Sequence, residues 1–399
     1  MSESFAVVRA NSQVTGAQGP TAIAGGLDLS PQLSLPAARR LAIGMKVNGR
    51  VVPGLVRCTV TNNNYWGADT FEAVVALGAT SAGFGLPFWA LNDTIELELL
   101  ASLDPSQPPA SLILGLADDL EWDAAQAAVT LRGRDYSSRF IDTRTSEKFP
   151  NLTGSQIATT LAARHQMQAA VQATTTLAGD LYRQDHVQMT DRVTEWQLLT
   201  YLAEREGFDL WVAGRTLHFQ PAPPQPGPPL TIGYSYATAN DATVQANTPH
   251  LKCSRAMTLS RDISVTVISW NHEHKRPISA TAHASKLVKG RGNTPIQAPA
   301  SNIGAQSFVF RVPGLTQQQA QEYANRKWAE LSRHERRITV SDLPVVLSLT
   351  PRMMLQVTGT LTSFDQPYVI EEIERSFAAE HAGMTIRAKN ASPQSMQVL

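Results

Sequence analysis

From Leu41 onward the chain alternates between apolar and polar positions. Val56, Cys58 and Val60 are separated by Arg57, Thr59 and Thr61, a period of two that puts the apolar set on one face of a strand. Phe71, Ala73, Val75 and Leu77 form the next stripe, after the turn-prone Asn62-Asn63-Asn64. Ile95, Leu97 and Leu99 face away from Thr94, Glu96 and Glu98; Leu112, Leu114 and Leu116 follow, then Ala127, Val129 and Leu131. The pattern predicts five or six short antiparallel strands with one apolar face. To bury that face they must close or stack, so a small barrel or sandwich is expected over residues 38–136.

The period then lengthens. Thr153-Gly154-Ser155-Gln156 and Thr194-Glu195-Trp196-Gln197 are capping boxes, in which hydroxyl and amide satisfy the orphan N–H groups of a helix start. The first opens a helix through Ile157, Leu161 and Ala162; the second opens one with Trp196, Leu199, Leu202 and Ala203 on one face. Gly207 suits the left-handed stop, and Phe208–Val212, the Ala213-Gly214 turn and Thr216–Phe219 predict a hairpin. A small α+β module is expected over 137–222. The proline-dense stretch from Pro221 to Pro229 predicts a stiff linker, assigned to 223–249.

A second β-rich region is expected over 250–399. Ile263, Val265 and Val267 take one face of a strand while Ile268 and Trp270 take the other, which predicts cover on both sides. Residues 272–305 read as a long Ser/Ala/Gly-rich insertion, and Thr316-Gln317-Gln318-Gln319 caps a helix over 316–333 carrying Ala320, Tyr323, Ala324, Trp328 and Leu331. Strands follow around Met353–Val357, Tyr368–Phe377 and Met384–Ala388. Residues 1–37, rich in Ser, Ala, Gly, Gln and Pro, read as an N-terminal extension that is flexible or ordered by a partner.

Composition narrows the function classes. Lys and Arg total 34, as do Asp and Glu, so no nucleic-acid-tracking charge is expected. Charged residues make up 17% of the chain, below the roughly 25% usual for soluble domains. That fits either surface buried against partner subunits or an Ala- and Thr-rich protein. Cys58 and Cys253 have no metal-type spacing and read as buried thiols. Without a signal-peptide pattern or a long apolar run, synthesis in the cytoplasm and no membrane insertion are expected.

No Gly-x-Ser-x-Gly elbow, His-Glu-x-x-His helix, phosphate loop or dinucleotide fingerprint occurs. Lys289-Gly290-Arg291-Gly292-Asn293 lacks the strand and helix that a phosphate loop needs, and reads as a basic loop tip. His272 and His274 would share one strand face, with His283 as a third potential ligand; a solvated strand end is the plainer reading. Asp118/Asp119 and Glu371/Glu372 are acidic pairs, but neighbours on a strand point to opposite faces and cannot flank one glycosidic bond. No catalytic, cofactor-binding or metal residues are assigned.

Four segments in order carry a family resemblance: Met45–Gly49, Leu131-Arg132-Gly133-Arg134-Asp135-Tyr136, Asp191–Val212, and Asp262–Val267 with the helix Thr316–Leu331 and Arg333–Arg337. Together they resemble the late control D and tail-hub proteins of contractile phages and the hub half of type VI secretion VgrG spike proteins. The resemblance implies a mainly β fold in which two tail-tube-like antiparallel β-barrels are joined by a small α+β module. It implies a non-enzymatic baseplate hub without cofactor, a homotrimer that adapts the sixfold tail tube, or its initiator, to the threefold central spike. Other baseplate proteins are further implied partners, with assembly into the virion tail. Gly133, Arg134 and Asp135 are implied structural residues, through an ion pair or turn at the first barrel's exit. The chain reaches Leu399 without a repetitive β-helix needle, so a separate spike polypeptide is expected. Two other readings stand beside this one: a tail-borne cell-wall lytic enzyme, and a carbohydrate- or surface-binding β protein.

Overall fold

The computed structural model describes residues 42–64, 66–77, 83–103, 108–179, 193–221, 230–236, 244–246, 248, 250–256, 263–271, 276–283, 287–289, 295–297, 306–312, 314–332, 334–360, 362, 364–378, 381–390 and 397–398. The first half comprises β1 (Ala42–Val47), β2 (Arg50–Val52), β3 (Leu55–Asn63), β4 (Thr70–Ala76), β5 (Glu96–Ser102), β6 (Ala110–Asp123) and β7 (Ala128–Asp135). They pair in the order β3-β4-β7-β6-β5-β1-β2, all antiparallel. Alternation decides which face turns inward: Val60, Phe71, Leu97 and Leu131 are buried, while Arg57 and Arg132 face out. A short helix, α1 (Leu86–Leu91), inserts Trp89 into the core, its indole donating to the Phe84 carbonyl at 3.1 Å.

The middle module contains α2 (Ser138–Asp142), β8 (Arg144–Thr145), α3 (Gly154–Arg164), β9 (Gln168–Val171), β10 (Val193–Thr194), α4 (Glu195–Glu206), β11 (Phe208–Ala213) and β12 (Thr216–Pro221). Both capping boxes form, and Gly207 ends α4 with φ of 72°. The two longer helices bury Ile157, Leu161, Leu199 and Leu202 in a core separate from that of the β halves.

The second half begins with β13 (Leu230–Tyr236), β14 (Val244–Ala246) and β15 (His250–Arg255). An insertion follows, with β16 (Ile263–Asn271), β17 (Arg276–His283), β18 (Leu287–Lys289), β19 (Pro295–Gln297), β20 (Gln306–Arg311) and α5 (Gln317–Ser332). Then come β21 (Arg336–Leu343), β22 (Met354–Thr358), β23 (Pro367–Ala378) and β24 (Ala382–Asn390), with β25 (Gln397–Val398) beside β18. Leaving the insertion aside, the order is β15-β21-β24-β23-β22-β13-β14.

That is the first half's order with each strand replaced by its counterpart. β13, β14 and β15 stand for β1, β2 and β3; β21 to β24 stand for β4 to β7. The orientations differ once, β13–β22 being parallel where β1–β5 is antiparallel. The register around one strand bulge agrees as well. β6 breaks register against β7 between Ala117 and Asp119, and β23 does so against β24 between Ile370 and Glu372. Asp118 and Glu371 are therefore the same bulge position, where an extra residue re-aims a strand. Asp135 and Asn390 likewise correspond.

The halves are also hydrogen-bonded to each other. β23 crosses beyond its bulge and pairs antiparallel with β3, from Glu372 opposite Asn63 to Ala378 opposite Arg57. One sheet and one core, containing both Val60 and Phe377, thus run through the two halves.

Several expectations need correcting. Seven strands, not five or six, build the first half. The linker assigned to 223–249 contains β13, whose Leu230 and Ile232 are buried beside β22; the neighbouring prolines mask this short alternation, and residues 222–229 lie outside those described. Within the 272–305 insertion, β17 pairs with β16 over its whole length. Its inward set, Ile278, Ala280 and Ala282, is too small to give a strong apolar signal. α5 packs on β16 and β17 in a third core rather than inside the second half. β16 is covered on one face only, leaving Ile268 and Trp270 at 37% and 45% exposure. The N-terminal extension, 1–37, lies outside the described residues.

Gly133 sits where β7 crosses the bulge of β6. An added Cβ would lie 2.1 Å from the Leu116 carbonyl oxygen and 2.6 Å from the Phe71 ring. Gly133→Ala is therefore expected to destabilise by about 1–3 kcal/mol through overpacking, read as a lower urea midpoint at unchanged slope. An unchanged midpoint would show that the crossing is looser than described.

Candidate functional site

The residues singled out in the sequence divide between the two faces of β7. Arg134 points outward and binds Asp118 at 2.7 Å and Asp142 at 2.9 Å. Asp135 points inward and forms no pair with Arg134; its carboxylate accepts from the Ser137 amide at 3.2 Å and from the Ser137 hydroxyl. At the corresponding place in the second half, Lys389 binds Glu371 at 3.1 Å. Glu372 accepts from Arg387. The two acidic pairs are thus counterparts at one repeated bulge, and their first members bind matching cations. His272 and His274 lie outside the described residues, as does the side chain of His283. Among the described residues no group of three or more His, Cys, Asp or Glu is placed to hold a metal. Burial pushes the Cys58 thiol up to about 12, far from a reactive thiolate.

The residues that come together do so where the two halves meet the middle module. Arg375, on β23, is almost fully buried and donates to Asn62 Oδ1 on β3 at 2.6 Å and to the Val346 carbonyl at 3.2 Å, with a further bond to the Leu349 carbonyl. Asn62 in turn donates to Asp69 at 2.8 Å. Asn64 reaches the second half, donating to the Pro351 carbonyl at 3.0 Å and to the Ile370 carbonyl at 3.1 Å. Next to this, the Arg352 guanidinium lies 4.1 Å from the Trp211 ring, which stacks on His218 at 4.5 Å. Trp196 Nε1 donates to the Trp66 carbonyl at 2.9 Å. On the other side, Glu96 of β5 accepts from both Tyr136 and Arg215, pinning the β11–β12 hairpin to the first half. Period-two reading marks Asn62-Asn63-Asn64 only as a turn. Its bonds to the second half join residues 287 and 306 positions apart, which no local pattern reveals.

Within the module, Glu195 is fully buried and is held by Arg164 at 2.8 Å and His165 at 2.5 Å. His165 meets the Phe140 ring edge-on at 4.6 Å. The arrangement seats α4 against α3.

The joint is electrostatically poised. Burial raises Asp135 to about 7, with the Asp69 charge adding to the effect. Asp69 is itself raised by burial, opposed by bonds from Asn62 and Asn63 and by the charges of Arg352 and Arg375. Burial lowers Arg375 to about 10, and lowers His218 with help from Arg352. Asp135 therefore binds its proton more tightly folded than unfolded. Its contribution to stability is complete below the ordinary carboxylate range and is lost as pH rises through about 7. Asn390 stands at the same place in the second half, so Asp135→Asn is expected to fit. The variant should be more stable than the parent at pH 8, by roughly 1–3 kcal/mol, and nearly equal at pH 4. Parallel stability curves for the two proteins across that range would contradict this assignment.

The fold has known counterparts. A tail protein from Neisseria meningitidis MC58 superposes with a TM-score of 0.63 at 15% identity, covering 89% of this chain and 99% of that one. The 43 kDa tail protein of prophage MuSo2 from Shewanella oneidensis gives 0.59 at 15% identity, covering 90% and 100%. Prophage tail protein gp18 from Listeria monocytogenes gives 0.51 at 11% identity, covering 88% and 94%. The fold is therefore that of prophage tail proteins. No curated protein matches in sequence. A family model described as the Alg8 N-terminal domain matches residues 117–376, a span from the bulge of β6 to just past its counterpart in β23. It takes in more than half of the sequence, and the chain belongs to the Alg8 N-terminal domain family.

Proposed function

We propose that the protein is the structural hub of a contractile tail baseplate. In this reading three copies form a ring that adapts a sixfold tail tube, or its initiator, to a threefold central spike and to other baseplate proteins. The observation that carries it is the repeated seven-strand order within one chain. A sixfold face and a threefold face cannot be matched by identical contacts. Three chains, each carrying two equivalent β units, present six units on one side while remaining threefold as a whole. The fold shared with prophage tail proteins is in keeping with this role.

The role is non-enzymatic. Asp118 and Glu371 hold Arg134 and Lys389 at matching strand bulges, which gives the most suggestive carboxylates a structural use. Gly133, Arg134 and Asp135 act in the same way: close crossing, outward ion pair and buried turn at the exit of the first half. The place of action is the assembled virion tail. Family membership alone assigns the chain no reaction.

Native mass measurement and electron microscopy of the assembled particle test the proposal, with the spike and tube proteins co-expressed. The expected result is three copies per ring, with the ring seated between tube and spike. Two, four or six copies, or a ring away from that junction, would overturn it.

A further inference from the structure

β6 and β23 are counterparts with the same bulge, yet their far ends are treated differently. Before the bulge each pairs with its neighbour, β6 with β5 and β23 with β22. Beyond the bulge, β23 turns its free edge to β3 and binds it from Glu372 to Ala378. The equivalent stretch of β6, Asp119–Asp123, pairs among the described residues with β7 alone. On the other side of the molecule β15 is the counterpart of β3, and among the described residues it pairs with β21 alone. One chain thus holds one completed seam and both separated halves of a second.

We propose that Asp119–Asp123 of one copy adds antiparallel to Lys252–Ala256 of the next copy, repeating between chains the β23–β3 seam made within the chain. The proposal rests on the ring reading above and names its contact. The register follows from the repeat. Trp122 stands at the place of Arg375, because each is the fourth residue after its bulge residue. Cys253 stands at the place of Val60: Val60 faces Phe71, which faces Gly133, and Cys253 faces Ile338, which faces Ala388. Arg375 lies opposite Val60. Trp122 therefore falls opposite Cys253 of the next copy, Asp123 opposite its Lys252, and Leu120 opposite its Arg255.

The chemistry of the two edges agrees with that register. Leu120 and Trp122 lie opposite the core residues Leu131 and Val129, yet remain 38% and 49% exposed. A neighbouring strand would cover them with Cys253 and the stem of Arg255. Along the other face, Asp119, Glu121 and Asp123 make the β6 edge acidic, while Lys252 stands on the β15 edge; Arg255, on the face of Cys253, is bound to Glu335 at 3.0 Å. Like charges discourage the β6 edge from pairing with a copy of itself, and Asp123 opposite Lys252 favours the head-to-tail pairing. Head-to-tail contacts close into a ring when the rotation between copies divides a full turn.

Oxidative cross-linking of the full chain tests the seam. Directly opposed residues of an antiparallel pair have Cα atoms about 4.5–5.5 Å apart, within the roughly 4.4–6.8 Å that a disulfide spans. Trp122→Cys, with the native Cys253, is expected to give chain-to-chain disulfides on a non-reducing gel, ending in a closed ring. The double variant Trp122→Cys/Cys253→Ser should give none. Independently, Asp123→Lys should weaken assembly, and adding Lys252→Asp should restore it. Cross-links that survive Cys253→Ser, or their absence from a protein otherwise competent to assemble, would overturn the seam. A ring of three without the cross-link removes this inference and leaves the hub reading intact. A cross-linked ring of another number keeps the seam and removes the hub reading.

Discussion

A β-sheet edge carries a row of unpaired N–H and C=O groups, and the architecture of this protein is organised by how those edges are satisfied. The decisive contact is the seam between β3 and β23. It joins segments more than 300 residues apart in the chain and merges two β halves into one sheet. The side chains at the seam depend on it: Arg375 reaches Asn62 only because β23 lies against β3. Asn62 fixes Asp69, and the neighbouring Asn64 ties the β3–β4 turn to Ile370 and Pro351. Removing the seam would leave a buried guanidinium without its strand partner, a costly state in a low-dielectric core.

The repeat explains why the two halves carry similar electrostatics on dissimilar sequences. Arg134–Asp118 and Lys389–Glu371 hold the same bulge, and Asp135 and Asn390 occupy the same buried strand end. The second half uses a neutral amide at that place. The first uses a carboxyl that burial keeps close to protonation at neutral pH. The halves diverge most where they meet different neighbours. At the place of Arg375, which is buried between the two halves, the first half presents Trp122, which is still half exposed.

Much of the fold was legible because alternation is local. Val56 to Val60, Leu97 to Leu99 and Val129 to Leu131 all lie on strands, and both capping boxes begin helices where Thr153 and Thr194 lead them. What failed was also local in cause. Leu230 and Ile232 sit next to a proline run that reads as linker. Ala280 and Ala282 are too small to mark β17 as a strand against the composition around them. The exposed face of Ile268 and Trp270 reads as buried because apolarity alone cannot tell a covered face from an open one. The joint was not legible at all. Its key bonds, from Asn64 to Ile370 and from Arg375 to Asn62, arise from strand pairing between remote segments. The duplication was implied only by the family resemblance, because it is held in pairing order and register while the side chains have drifted.

The central claim is that one kind of seam joins every β unit to the next, within a chain and between chains. A structure of the assembled particle at strand resolution tests it most directly. The rotation that carries the second half onto the first within a chain should also carry the first half of that chain onto the second half of its neighbour. β6 should then lie against β15 of the neighbour as β23 lies against β3. Units joined between chains through other elements, such as the exposed face of β16, or by an unrelated rotation, would contradict the account.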